Sequence, residues 1–139
     1  MPQFLDSENW KEGAQKLSAL SSQGSSGFKG LEGIKVKSSV VTLESDEVTA
    51  LCPVTGQPDI YRVQIQITGS KSIESKSLKL YFVSLRNVGM FCEDLAGKIR
   101  DDVFEALCKV EGGEYIHKES IEVVVVQKRR GGIVIEAVA

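Results

Sequence analysis

The chain is poor in the residues that build metal and disulfide centres. Its 139 residues include one histidine and three cysteines. Cys52, Cys92 and Cys108 are odd in number and irregularly spaced, which argues for reduced thiols rather than a disulfide framework. With no Cys-x-x-Cys pair and no His-x-x-x-His spacing, no metal site is expected. No Gly-x-Gly-x-x-Gly follows a strand pattern, so a Rossmann nucleotide site is not indicated. Positive charge is not in excess: 17 Lys and Arg stand against 19 Asp and Glu, a net charge of −2. A protein whose main task is to grip nucleic acid usually carries a basic face, so no direct nucleic-acid partner is expected. The N-terminus, MPQFLDSENWKEG, lacks the basic and apolar regions of a signal peptide. No apolar run approaches the roughly 18–20 residues of a membrane span. The expected compartment is the cytoplasm, with no membrane partner.

What is present suits one compact domain. Hydrophobic residues make up 42% of the chain, enough for a real core. Residues 7–20 read as a short amphipathic helix, with Trp10, Ala14, Leu17 and Leu20 at helical spacing behind a cap at Asp6 or Ser7. SSQGSSGFKG, residues 21–30, reads as a linker. Residues 1–33 are therefore expected to form an extension and 34–139 the domain.

Within the domain, residues 34–43 and 60–68 alternate as strands. Two prolines and a glycine in the stretch 52–59 argue against a regular element there. Leu78, Tyr81, Phe82 and Leu85 predict one helix, and Leu95, Ile99, Val103 and Leu107 a second. Gly112 and Gly113 break the chain. A strand near 115–127, a Lys-Arg-Arg-Gly-Gly turn and a strand near 133–138 complete the pattern. The order strand, strand, helix, helix, strand, strand predicts an α+β fold, an antiparallel sheet with two helices on one face. A sheet this small has open edges that invite pairing between subunits, so a homo-oligomer is expected.

Cys52 lies in the proline-bounded turn that ends in Asp59. As a nucleophile it needs a base or a positive environment to become thiolate; as a packed residue at a strand end it needs neither. From spacing alone both readings stand. Lys76 and Lys79 share a helix face, either to hold a phosphate or as a solvated surface. Glu93 and Asp94 suit the first turn of the second helix, where acidic residues complement the helix dipole. Lys128, Arg129 and Arg130 precede Gly131 and Gly132, an arrangement fit either to cradle a phosphate or to turn a hairpin. His117, predicted on a strand, is far from Cys52 in the chain.

At these residues the chain resembles the QueF family, the nitrile reductases of queuosine biosynthesis. The family signature Glu-[Ser/Leu]-Lys-[Ser/Ala]-hydrophobic-Lys-[Leu/Tyr]-aromatic is met at every position by Glu74-Ser75-Lys76-Ser77-Leu78-Lys79-Leu80-Tyr81. Leu51-Cys52-Pro53, Thr55-Gly56-Gln57-Pro58-Asp59, Arg86-Asn87, Phe91, Glu93-Asp94 and Arg130-Gly131-Gly132-Ile133 also look like the family's segments. The likeness runs from about residue 46 to the end.

The resemblance implies the tunnelling fold, with subunits closing into rings and, for short members, a homodecamer of two pentamers. It implies reduction of the nitrile of 7-cyano-7-deazaguanine to 7-aminomethyl-7-deazaguanine by NADPH. Cys52 would form a covalent thioimide and Asp59 would handle the proton. Glu74, Ser75, Phe91 and Glu93 would bind the base; Lys76, Lys79, Arg130 and Gly132 would hold NADPH. Where the family normally has histidine before the binding glutamate, this chain has Cys92. The related archaeosine synthases transfer ammonia to the same nitrile in tRNA without NADPH, but they lack the signature kept intact at 74–81. A ring-forming binding module without catalysis is disfavoured by the joint presence of Cys52 and Asp59.

Overall fold

The computed structural model describes residues 30–139, so the helix expected over 7–20 and most of the linker lie outside the described residues. Among the described residues there are six strands and two α-helices. The strands are β1 (Gly33–Lys35), β2 (Val40–Leu51), β3 (Pro58–Thr68), β4 (Lys71–Ile73), β5 (Ile121–Arg130) and β6 (Ile133–Val138). The helices are α1 (Ser75–Ser84) and α2 (Cys92–Cys108). Four strands form an antiparallel sheet in the order β2-β3-β5-β6, and β1 pairs with β4 in a second, two-stranded sheet.

Alternation along β3 decides which face is covered. Tyr61, Val63, Ile65 and Ile67 are buried, whereas Arg62 and Gln66 are exposed on the opposite face. In α2, Leu95, Ile99, Val103 and Leu107 recur once per turn and are all 0% exposed. They pack with Val123 and Val125 of β5 in one core. Each such side chain stabilises by about 1.5–3 kcal/mol when fully buried. The helices cover one face, as the sequence pattern predicts. No described helix is long and apolar enough to cross a membrane.

Several boundaries differ from the expected ones, each for a local reason. The strand expected over 34–43 is two strands, because β1 turns away to pair with β4 before β2 begins. β2 then continues to Leu51, with an irregularity between Ser45 and Val48. Leu31 packs against the core, and the Glu32 N–H donates to Ser77 Oγ at 3.0 Å. Gly33 is required by close packing, since a Cβ there would run into Val110 and the Ala106 carbonyl. The turn after β2 ends at Gln57, and Pro58 takes the first position of β3, where a missing N–H is tolerated. The strand expected from 115 starts at Ile121. Before it, the Arg100 guanidinium donates to the carbonyls of Lys118 and Ile121, at 3.0 and 3.1 Å, around a short 3₁₀ turn, Lys118–Ser120. His117 therefore precedes that turn rather than lying on a strand.

Candidate active site

The end of β2 is tied to the start of α2. The Leu51 N–H donates to the Val88 carbonyl at 2.9 Å, and the Met90 N–H donates to the Leu51 carbonyl at 3.1 Å. This places Cys52 beside the chain that carries Phe91, Cys92 and Glu93. The turn itself is closed twice. The Gly56 N–H reaches the Cys52 carbonyl at 2.8 Å, and the Cys52 N–H reaches the Gln57 carbonyl at 2.8 Å. Gly56 has a φ of 70°, which favours glycine.

This turn lowers the pKa of the thiol. The Thr55 hydroxyl first, then the backbone N–H groups of Thr55 and Val54, hold the Cys52 pKa below the usual thiol value; burial and the charge of Asp59 act against them. The sequence pointed to a neighbouring base or a positive environment; in the structure the groups that lower the Cys52 pKa belong to its own turn. Asp59 stands across the β2–β3 ladder from Ala50, one position inside the Leu51–Pro58 pair. Its side chain is buried on the helix side, 7% exposed.

Around this pair the first turn of α2 divides its residues. Phe91 and Glu93 are exposed, while Cys92 is buried. The Cys92 thiol turns inward and donates to the Val125 carbonyl at 3.6 Å. Burial pushes its pKa up; the Gln127 backbone opposes this, and the charges of Glu93 and Asp59 add to it. The two thiols are thus shifted in opposite directions, Cys52 down and Cys92 up.

The remaining candidates occupy two other places. Glu74 caps α1, its two oxygens accepting from the N–H groups of Lys76 and Ser77 at 2.8 and 2.7 Å. Those bonds, Ser77 first, hold its pKa below the usual carboxylate value. Ser75 and Lys76 follow in the first turn, both exposed. Lys79 lines a cleft of about 240 Å³ with Phe82, Val83 and Arg86, facing Ser45, Glu47 and Thr49 of β2. Arg86 was not among the site residues expected from sequence, although its spacing of seven from Lys79 was there to be read. Arg130 ends β5 and pairs with Ile133 across Gly131 and Gly132, whose φ values of 61° and 82° suit a two-residue hairpin turn.

Strand register fixes which of these share an end of the molecule. β5 runs antiparallel to β3 with Gln127 opposite Tyr61, so the Arg130 hairpin lies toward the same end as Cys52 and Asp59. Phe91 and Glu93 join that end. Glu74, Ser75 and Lys76 do not, because α1 starts at the far end and its ten residues advance about 15 Å toward the thiol.

The described residues define an antiparallel α+β domain that carries a half-buried thiol just after β2 and a buried carboxyl near the start of β3. A family model described as QueF-like protein matches residues 58–139. A curated relative from Thermotoga maritima is 37% identical over 118 residues, covering 76% of this chain and 80% of its own. One from Frankia casuarinae is 39% identical over 98 residues, covering 70% and 71%. One from Syntrophus aciditrophicus is 49% identical over 76 residues, covering 51% and 54%. All three are named NADPH-dependent 7-cyano-7-deazaguanine reductase. The chain belongs to the QueF family. Among solved structures, the apo form of the archaeosine synthase QueF-Like aligns with a TM-score of 0.60 at 21% identity, over 74% of this chain and 93% of that one. That likeness carries the fold alone, the tunnelling fold expected from the sequence.

Proposed function

We propose that this protein reduces the nitrile of 7-cyano-7-deazaguanine to the aminomethyl group of 7-aminomethyl-7-deazaguanine, through a thioimide on Cys52. It is an NADPH-dependent oxidoreductase of the QueF family, like its curated relatives. The observation that carries the mechanism is the Cys52 turn, whose donors favour thiolate next to Asp59. In the attacking form Cys52 is thiolate and Asp59 holds the proton. The sulfur adds to the nitrile carbon, one carbon–nitrogen π bond breaks, and Asp59 protonates the nitrogen. NADPH supplies two hydrides in succession, which with two protons complete the four-electron reduction. Cys52 leaves as thiolate between them, when the first reduced adduct collapses.

Glu93 accepts hydrogen bonds from the guanine-like edge, and Phe91, exposed beside it, covers the ring. The α1–β2 cleft fits a phosphate-bearing cofactor, because Lys79 and Arg86 both line it and Lys76 continues the same helix face. The Arg130 hairpin, with Gly132, gives a second cationic segment toward the thiol end. Since Glu74, Ser75 and Lys76 lie at the far end of α1, they complete a site by serving the thiol of a neighbouring subunit. The ring of five, stacked in pairs as a homodecamer, is the assembly that supplies such a neighbour. We place the protein in the cytoplasm, where reduced thiols persist.

The test mixes protein with the nitrile. Without NADPH, intact mass should rise by that of one nitrile, and Cys52→Ala should abolish the increase. With NADPH, cofactor absorbance should fall in a ratio of two per nitrile consumed. A mass increase retained in Cys52→Ala would refute the covalent mechanism.

A further inference from the structure

Tyr61 carries a hydroxyl that the reaction above leaves unused. The residue sits on β3 two positions after Asp59, so both side chains leave the strand toward the helices. It is fully buried, flanked in register by Val48 and Gln127. Its hydroxyl is buried too, with no hydrogen-bond partner among the described residues. An unpartnered buried hydroxyl is a standing cost to the fold, and phenylalanine would fill the same space without it. Native proteins keep few such groups, and catalysis is among the recognised reasons.

The surroundings of this hydroxyl belong to the site. The ionisable groups that act on it are Asp59 on its own strand, Cys92 and Glu93 on α2, and Cys52 in the turn after β2. Burial first, and then each of those charges, raises its pKa far above the usual tyrosine value. The phenol therefore stays protonated and acts only as a donor. Cys92 is no substitute, because its thiol is already directed at the Val125 carbonyl.

We propose that Tyr61 is a positioning residue whose O–H donates to the Asp59 carboxylate once Asp59 has given its proton to the nitrile nitrogen. The inference rests on the reading of Asp59 as proton donor. As the proton leaves, negative charge appears on a buried carboxyl, and the phenol adds a donor to it. Tyrosine keeps its own proton throughout. The bond is unmade in the structure described and made as charge develops, so it acts on the barrier rather than on substrate binding. This differential explains why a hydroxyl that burdens the resting fold is present at that position.

Tyr61→Phe keeps the ring and deletes the donor. Thermal midpoint and the rate of thioimide absorbance without NADPH are measured across pH, beside wild type. The expected variant melts at or above the wild-type temperature yet forms the adduct about 10-fold more slowly. The pH profile of its rate also departs from the wild-type profile, because the deleted donor acts on only the charged form of the carboxyl. Adduct formation at the wild-type rate with an unchanged profile overturns the proposal. So does a lower melting temperature with an unchanged rate, which marks the hydroxyl as structural. If wild type itself forms no adduct, the catalytic reading of Cys52 and Asp59 fails and the role of Tyr61 falls with it. That result is distinct from one in which wild type reacts and the variant matches it.

Discussion

Tyr81 is the second buried tyrosine, and its phenylalanine variant should behave oppositely to that of Tyr61. The Tyr81 hydroxyl donates to Asp102 Oδ2 at 2.6 Å, tying α1 to α2. Lys98 reaches the same oxygen at 2.9 Å from one turn earlier in α2. A hydrogen bond to a charged partner contributes about 1.5–3 kcal/mol. Here Asp102 keeps Lys98 and is 30% exposed, so water replaces part of what Tyr81→Phe removes. The expected loss thus falls to the bottom of that range or just below it, about 1–1.5 kcal/mol. In a domain of this size that lowers the melting midpoint by about 3–5 °C. The assay is urea unfolding of wild type, Tyr81→Phe and Tyr61→Phe at one protein concentration, since assembly makes stability depend on concentration. The denaturation midpoint should fall for Tyr81→Phe with an unchanged slope and should not fall for Tyr61→Phe. Equal loss in both variants would show that hydroxyl partnering does not govern either site.

Three further outcomes are expected. Thr55→Val removes the leading donor to Cys52 sulfur and should slow alkylation of Cys52 by iodoacetamide at neutral pH, with Cys108 as internal control. Arg86→Gln should raise the Kd for NADPH and narrow its preference over NADH while leaving adduct formation intact; equal binding of both cofactors by wild type would count against the cleft. Tyr61 and Tyr81 both have pKa values raised above the unfolded value of 10.0, Tyr61 by burial and the site charges and Tyr81 by burial and Asp102. Raised acids stabilise the fold below the unfolded pKa and lose that contribution as pH rises above it. Absorbance near 295 nm should therefore show Tyr61 and Tyr81 ionising only as the protein unfolds above about pH 10.

Most of the sheet and α2 were legible because their periodicity is uninterrupted. Tyr61, Val63, Ile65 and Ile67 alternate without a break, and α2 repeats an apolar residue every turn. β4 was not legible, because three residues are too few to show a period and one of them is a lysine. Lys71 is nonetheless buried, its ammonium donating to the Val110 carbonyl just beyond α2 at 3.2 Å. The early part of 115–127 carries apolar Tyr115 and Ile116, yet Arg100 takes the nearby carbonyls and delays β5. In both places a long cationic side chain satisfies backbone groups from a distant part of the chain, and no local pattern announces that.

The site was legible where chemistry is local and hidden where it is not. Cys52 and Asp59 stand out in one short turn, and the glycine at position 56 marks its tightness. Tyr61, for which we propose a role beside Asp59, passed for one more apolar residue of an alternating strand; the available signal was a hydroxyl two positions from Asp59 among valines and isoleucines. Glu74 shows the converse. Its place at the head of the signature suggests a ligand contact, but within one chain its carboxylate is already spent on two N–H groups of α1. Helix capping and a contact to a neighbour's ligand compete for the same two oxygens. Glu74→Gln separates them, because an amide retains one cap acceptor but loses the charge that a ligand N–H would seek. If Glu74 serves only α1, that variant should leave affinity for the nitrile unchanged. If it also faces a neighbouring subunit's substrate, affinity should fall while α1 remains folded.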